Sequence, residues 1–337
     1  MTTDTATEAT TASRNWISGF LSSGAGRNLG LVIALLVLFA IGATTAGDRF
    51  TNIENILTII RFASIIGVLS IGMTFVIIGG GIDLSVGSVM GLASVVATLA
   101  AVQTLADQSS WLIMVLVALA VGTAAGIING IVISYGKVVA FMATLAMLVA
   151  ARGLAEILSN RTTQIVRSQD FIEFFRSNLL GIPVLIWIFL LVAVAGWILL
   201  NKTTFGRRTV AIGGNREAAR LAGLKVMRHT VYLYALAGLT AGIAGIMMLG
   251  RTTAGTSTHG QLYELDAIAA VVVGGTLLIG GRGTIVGTVF GVLIFATLTN
   301  VFTQNNLNTS VQAVAKGVII VLAVLLQQRF AARNRKR

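Results

Sequence analysis

Three carboxylates stand at the edges of apolar stretches, where an acid is costly unless it is paired, hydrogen-bonded or wetted. Asp83 follows a run of three glycines, whereas Glu264 and Asp266 open an apolar segment farther along the chain. Asp83 could relay protons or border a path for a solute, or it could cap a helix that starts at Leu84. Glu264 and Asp266 could form a polar rim at the mouth of a path, or they could stabilise the first turn of a helix through its dipole.

Neutral polar side chains inside the apolar stretches could also line a path for a solute. Hydroxyls and amides can exchange hydrogen bonds with the hydroxyl groups of a sugar, and hydrogen bonding between helices is the competing explanation. Together with the acids they form the predicted solute pathway, which consists of Asp83, Ser85, Asn129, Thr144, Glu264, Asp266, Thr276 and Asn300.

The remaining residue types disfavour enzyme chemistry. The chain has no cysteine and only two histidines, His229 and His259, so we expect no thiolate nucleophile, no disulfide and no metal site. It has no G-x-x-x-x-G-K-S/T phosphate-binding loop, so it does not hydrolyse ATP by itself. No cofactor and no covalent chemistry on a solute are expected.

The composition indicates what holds these residues in place. Hydrophobic residues make up 55% of the 337 residues and charged residues only 11%, whereas soluble domains carry about 25% charged residues. The apolar runs are continuous and long enough for helices that cross a hydrocarbon core of about 30 Å. The sequence therefore predicts an all-α polytopic membrane protein. The net charge of +12 serves membrane orientation and not nucleic acid binding, because no soluble domain remains to carry a basic face.

Ten apolar segments are predicted, and an even number places both termini on one side. The segments cover residues 29–46, 56–78, 84–105, 111–133, 138–158, 182–200, 229–249, 265–279, 284–303 and 311–327. Of the 24 Lys and Arg residues, 16 lie in the termini or in connections on the same side as the termini, including the 201–228 loop. Five lie in connections on the opposite side, and three lie within the segments. The five are Arg49, Arg161, Arg167, Arg176 and Arg251, and the three are Arg61, Arg152 and Lys316. The positive-inside rule then places both termini and this loop in the cytoplasm.

The domain organisation follows from these segments. Residues 1–28 are predicted to be a cytoplasmic tail that is largely disordered, because its first part is rich in Thr and Ala. Residues 29–327 form the transmembrane domain, and residues 328–337 form a basic cytoplasmic tail. The first apolar run begins too late for a usual cleavable signal peptide.

Glycine-rich breaks interrupt two of the segments. Residues 80–91 match residues 280–291 in their glycines and in the Val-Gly pair between them, and the apolar stretch before each is short. Short, glycine-interrupted segments in corresponding positions indicate the central site of a transporter. We therefore expect non-helical backbone that borders the solute path at Gly79–Ser85 and Gly280–Thr284. A second similarity, around Gly122, implies a different alignment of the repeat, and the sequence does not decide between them.

Three pairs of glycines at four-residue spacing are predicted to let helices pack closely. They are Gly87 with Gly91, Gly122 with Gly126, and Gly287 with Gly291.

The longest cytoplasmic connection carries the most specific pattern. Asn215 can cap a short helix, Glu217 suits its first turn, and Gly223 can end it. The predicted helix is basic, and its small apolar side chains suit insertion into a groove on a partner; a solvated loop that only sets topology is the alternative. The apolar face consists of Ala218, Leu221 and Ala222, and the predicted coupling residues are Gly206, Gly213, Gly214, Asn215, Glu217, Ala218, Ala219, Arg220 and Gly223.

At this connection the chain resembles a known family. Residues 217–223 look like the E-A-A-x-x-x-G coupling motif of bacterial ABC importer permeases, and residues 72–88 and 264–269 are similar to the ribose, xylose and arabinose permeases among them. The resemblance covers about residues 50–327 and looks closest to galactofuranose-type permeases around residues 274–288. Val139 and Ala146 depart from a proline and a glycine that are usual in the family.

The resemblance implies the membrane-spanning subunit of an ATP-driven importer for a monosaccharide, a pentose or hexose or a furanose form, in the bacterial inner membrane. Its partners would be a cytoplasmic ABC ATPase, a periplasmic sugar-binding protein, an identical or different second permease subunit, and lipid. The chain itself would not be an enzyme. The alternative is a proton-coupled secondary sugar transporter that uses Asp83 and needs no ATPase.

Overall fold

The computed structural model describes residues 24–319 together with residues 321 and 325, and this part of the chain is almost entirely helical. Residues 1–23, the predicted tail at 328–337 and part of the tenth predicted segment lie outside the described residues. The first helix already begins at Gly24, inside the predicted N-terminal tail.

Fourteen helices have defined bounds in the described part of the chain. They are α1 Gly24–Ala46, α2 Asp48–Thr51, α3 Ile53–Ile78, α4 Val86–Ala97, α5 Ala100–Gln108, α6 Leu112–Ser134, α7 Ala140–Ser159, α8 Gln169–Arg176, α9 Val184–Lys202, α10 Thr204–Gly214, α11 Arg216–Leu221, α12 Val226–Thr252, α13 Tyr263–Val273 and α14 Ile285–Gln304. Residues 309–319 are also helical. Two short antiparallel pairs join β1 Gln164–Ile165 to β4 Ala254–Gly255 and β2 Asn178–Leu179 to β3 Ile182–Pro183.

Seven of the described helices are long and apolar enough to cross a membrane, and α4 with α5 forms an eighth candidate that bends by 57°. The seven are α1, α3, α6, α7, α9, α12 and α14. The predicted all-α polytopic architecture is therefore confirmed, whereas ten crossings are not.

The bend in the third predicted segment has a local cause. Thr98 follows α4, and its hydroxyl donates to the Ser94 and Val95 carbonyls at 2.9 and 3.0 Å. The Gln103 amide donates to the carbonyls of Thr98 and Ile165, at 2.9 and 3.1 Å. Side-chain hydrogen bonds to backbone carbonyls compete with the regular hydrogen bonds of a helix. Here they accompany the end of α4 and the start of α5 in a different direction.

The eighth predicted segment, 265–279, is helical only as far as Val273, because Gly274 and Gly275 end α13 and Gly275 has a φ of +89°. Residues 255–264 run antiparallel along α4, with Gly255 against Thr98 and Glu264 against Gly87. This stretch of α4 spans about 16 Å, and the 11-residue α13 adds about as much, so the two pieces together match a hydrocarbon core of about 30 Å.

The centre of the fold is a close pairing of α6 with α12. A Cβ at Gly122 would lie 2.8 Å from the Gly242 nitrogen, and one at Gly126 would lie 2.9 Å from the Tyr234 carbonyl carbon. Only glycine permits this approach, so the predicted packing role of Gly122 and Gly126 is confirmed. Gly287 and Gly291 on α14 likewise contact the backbone at the end of α13.

Val139, which stands where the family usually has proline, directly precedes α7. Its φ of −59° and ψ of 133° are values that proline also adopts, so a proline at this position would fit the same backbone.

Candidate coupling element and solute path

Helix α11 has the start that its sequence predicts. The Asn215 side chain accepts a hydrogen bond from the Ala218 N–H at 3.0 Å, which is an N-cap. Glu217 lies in the first turn, where the helix dipole favours an acid, and its carboxylate is 3.0 Å from Arg220 Nε.

The end of α11 is a Schellman motif centred on Gly223, whose φ is +81°. The Leu224 N–H donates to the Ala219 carbonyl at 3.1 Å, and the Gly223 N–H donates to the Arg220 carbonyl at 3.0 Å. This pair of bonds defines the motif and requires a residue that tolerates positive φ. Gly223 therefore ends the helix as predicted.

The helix presents one face inward and one outward. Ala219 is buried in a small cluster with Ile212 and Val226, which holds α10, α11 and the start of α12 together. On the outward face Leu221 is 80% exposed, and Ala218 and Ala222 are exposed as well. The apolar face predicted for a partner is thus accessible.

Helix α10, immediately before α11, was not predicted from the sequence. Thr203 is its N-cap, which was the one local signal for it. The Thr209 hydroxyl lies 2.8 Å from His229 Nε2, and the Phe205 and His229 rings are 4.6 Å apart, so α10 is fastened to α12. Gly206 lies against the Leu200 carbonyl, which permits the tight corner between α9 and α10.

Both predicted glycine breaks have non-helical backbone, and the second starts six residues earlier than predicted. Residues 79–85 separate α3 from α4, and residues 274–284 separate α13 from α14. The breaks meet, because the Gly281 N–H donates to the Ile78 carbonyl at 2.8 Å.

Helix α10 ends directly against this meeting point. A Cβ at Gly213 would collide with the Ile78 carbonyl oxygen and lie 2.7 Å from the Gly281 nitrogen. A Cβ at Gly280 would lie 2.8 Å from the Gly213 oxygen and 3.0 Å from Gly80 Cα. We call these four residues, Gly80, Gly213, Gly280 and Gly281, the glycine junction. Through it the predicted coupling loop has backbone contact with both breaks.

Asp83 lies in the first break and is 2% exposed. Its Oδ1 accepts hydrogen bonds from the Ser85 N–H at 2.8 Å and from the Ser85 hydroxyl at 2.6 Å. Asn129 Nδ2 donates to the Ser85 hydroxyl at 2.9 Å, and the Tyr234 hydroxyl donates to the Ile82 carbonyl at 3.2 Å. The carboxylate therefore shapes the turn that precedes α4, and three predicted pathway residues form one buried network.

Four other predicted pathway residues lie outside the turn at Asp83. The Thr144 hydroxyl donates to the carbonyl of Ala140 in its own helix at 2.9 Å. Asn300 exchanges amide hydrogen bonds with Asn55 at 2.8 and 3.0 Å. Asp266 is ion-paired with Lys316 at 3.1 Å, and both side chains are mostly buried. Thr276 is buried in the second break.

The eighth, Glu264, lines a cavity of about 400 Å³. The other lining residues from α7 are Leu148, Arg152 and Glu156, and those from the segment that runs along α4 are Ser257, Thr258, Gln261 and Leu262. We call this the polar cavity. Glu264 lies in the first turn of α13, just after the series of turns at residues 257–262, so the cavity lies near the middle of residues 255–273.

Arg152 was not predicted as a functional residue. Its Nη1 donates to the carbonyl of Ser257 and, at 2.9 Å, to that of His259. A cation within a membrane helix normally faces the protein interior or a water-filled space, and its only sequence signal was that position.

Gly87 and Gly91 make room for this arrangement. A Cβ at Gly91 would lie 2.7 Å from the His259 oxygen and 3.0 Å from Arg152 Nη1, and one at Gly87 would lie 2.5 Å from Glu264 Oε2. Their predicted role in packing helix against helix is therefore corrected: they admit loop carbonyls and two charged side chains.

Comparison with known proteins assigns the family. Residues 55–324 match the model of a family described as branched-chain amino acid transport system / permease component. The chain belongs to this permease family. The matched region includes α11, the glycine junction and every residue that lines the polar cavity, so the permease subunit of a transporter, and not an enzyme, holds these features.

Individual relatives of the permease carry sugar names. It is 40% identical over 302 residues to the ribose import permease protein of Escherichia coli (strain K12), covering 88% of this chain and 92% of the relative. It is 42% identical over 311 residues to the ribose import permease protein of Bacillus subtilis (strain 168), covering 92% and 95%. It is 38% identical over 307 residues to the L-arabinose transport system permease protein of Escherichia coli (strain K12), covering 89% and 90%. No solved structure shows a significant match.

Proposed function

We propose that this permease is the membrane-spanning subunit of an ATP-driven importer that moves a monosaccharide, a pentose or hexose, into the cytoplasm. The ribose and arabinose names of its relatives support the substrate class. A furanose form of the sugar is the finer proposal, supported only by the resemblance around residues 274–288. The partners are a cytoplasmic ATPase, a periplasmic sugar-binding protein and a second permease subunit.

The observation that carries this proposal is the doubly capped helix α11 with its exposed apolar face. Its caps hold the helix rigid, and Leu221 is 80% exposed beside two exposed alanines. Such a face fits a groove on a partner. A proton-coupled transporter is less well supported, because the Asp83 carboxylate is already bonded to Ser85 in a buried turn.

Leu221→Asp is expected to weaken association of the permease with its ATPase at least about tenfold, because a charge would enter an apolar contact. The permease itself should accumulate and melt as the wild type does, since the side chain is exposed. Co-purification of the ATPase measures the effect, and Leu221→Ala serves as the milder variant. Wild-type association of Leu221→Asp would remove α11 from the interface.

For the solute path we propose the polar cavity. Substrate sites of transporters lie near the bilayer midplane where discontinuous helices meet, and Glu264 occupies such a place. The Glu264 carboxylate, the Arg152 guanidinium and the Gln261 amide supply charged and neutral partners for sugar hydroxyls. ATP-driven movement of α11 would reach the breaks through the glycine junction and open the path to alternate sides.

We propose ten crossings with both termini cytoplasmic. Support comes from the uneven distribution of Lys and Arg. In this topology residues 255–273 cross discontinuously, first along α4 and then as α13. A cysteine introduced at position 170 is expected to react with a membrane-impermeant thiol reagent in intact cells, and one at position 215 is expected to be protected. Labelling at 215 from outside would overturn this orientation.

A further inference from the structure

A second cavity, of about 380 Å³, lies at the end of the molecule away from the coupling loop. Three arginines line it: Arg61 on α3, Arg176 at the end of α8 and Arg251 in the last turn of α12. We call it the basic pocket.

The three positive charges of the basic pocket are not neutralised within the described part of the chain. No acidic residue lines the pocket, and no hydrogen bond or ion pair joins any of the three guanidinium groups to a described residue. The Arg251 guanidinium lies over the Phe62 ring at 5.5 Å, which orients it without neutralising it. Three guanidinium groups around one space suit an anion with several acceptor oxygens, above all a phosphate.

The depth of the pocket matches the headgroup layer. Arg61 stands 17 residues before Ile78, the residue of α3 that contacts the glycine junction. Seventeen helical residues span about 26 Å, which approaches the thickness of a hydrocarbon core of about 30 Å. An anion in this pocket would therefore lie near the membrane surface opposite the coupling loop.

The surface beside the pocket is suited to lipid. The β2–β3 hairpin leads through Pro183, which lines the pocket, and its tip carries Leu179 and Leu180, the latter 84% exposed. Trp187 Nε1 donates to the Leu179 carbonyl at 3.1 Å, so an aromatic ring stands at the same level. Exposed leucines with a tryptophan beside a cluster of arginines are typical of a membrane interface, and a docking surface for a soluble protein has less reason to expose them.

We propose that the basic pocket binds the phosphodiester headgroup of an anionic phospholipid in the leaflet opposite the coupling loop. The shared chemistry is a phosphate anion, which free inorganic phosphate could also supply. The apolar hairpin tip favours the lipid, because acyl chains can cover it and inorganic phosphate cannot. The proposal does not depend on which solute the permease carries.

The test uses the complete transporter in phosphatidylcholine vesicles with and without phosphatidylglycerol. After mild detergent extraction, native mass spectrometry counts the phosphatidylglycerol retained on the permease. Wild type is expected to retain it, and the triple variant Arg61→Gln, Arg176→Gln, Arg251→Gln is expected to retain at least about tenfold less, since each lost charge-assisted contact weakens binding. The matched control replaces Arg49, Arg161 and Arg167, three exposed arginines predicted at the same end but outside the pocket.

The other outcomes are equally decisive. Unchanged retention in the triple variant would overturn the proposal, and so would displacement of the lipid by inorganic phosphate with no dependence on the acyl chain. Weaker binding of the sugar-binding protein, with lipid retention intact, would identify a protein docking site instead. If the triple variant does not accumulate, the double variant Arg176→Gln, Arg251→Gln replaces it, because both side chains are exposed. It is also expected to retain less phosphatidylglycerol than the wild type.

Discussion

Gly213→Ala is expected to abolish ATP-driven uptake while the permease still inserts in the membrane and still binds its ATPase. The added methyl would collide with the Ile78 carbonyl oxygen and lie 2.7 Å from the Gly281 nitrogen, which donates to that same oxygen. Either α10 moves away, or the hydrogen bond from the Gly281 N–H to the Ile78 carbonyl, which joins the two glycine breaks, is lost. Close-packed contacts of this kind do not deform continuously, so the junction would stop transmitting movement.

Gly214→Ala provides the matched control for this prediction. Gly214 belongs to the same predicted coupling loop, but a Cβ there meets nothing within 4 Å, so its contacts do not require glycine. The same chemical change one residue away is therefore expected to leave uptake near the wild-type rate. Uptake into vesicles, together with co-purification of the ATPase, separates a transmission defect from an assembly defect. Wild-type uptake by Gly213→Ala would show that the glycine junction is not needed for coupling.

Glu264→Gln is expected to reduce the rate of sugar uptake on the order of tenfold at saturating sugar-loaded binding protein. Hydrogen bonds to a charged group are worth about 1.5–3 kcal/mol, and the amide loses much of this while keeping the shape of the side chain. Binding-protein-stimulated ATP hydrolysis should persist, because α11 and the glycine junction are unchanged. This combination distinguishes a defect in the solute path from a defect in coupling.

Two further variants sharpen the result for the polar cavity. Gln261→Ala removes an exposed amide that lines the cavity and should slow uptake less, by roughly two- to tenfold, since the lost partners are neutral. Glu173→Gln, at an exposed position on α8 outside the cavity, should have no effect. If Glu264→Gln transports at the wild-type rate, the solute does not pass this carboxylate.

The sequence by itself determined the features that depend on composition and on neighbouring residues. Continuous apolar runs predict membrane helices, because the hydrocarbon core leaves the backbone few alternatives. The caps of α11 were predicted at Asn215 and Gly223, because a cap is made within a few residues of its own chain. Gly79–Gly81 predicted a break for the same local reason.

Tertiary structure decided which distant residues meet. Asn300, a predicted sugar contact, is instead paired with Asn55, 245 residues away, and Asp266 with Lys316. Arg152 and Glu264 border one cavity because residues 255–264 run along α4 before α13 begins. No local sequence pattern predicts this path of the chain. Spacing along a helix tells which face a polar residue occupies, but the partner of that face depends on long-range packing. For glycines such as Gly87, Gly91 and Gly213, the absence of a side chain permits a close approach, and only the fold specifies which backbone or side chain makes it.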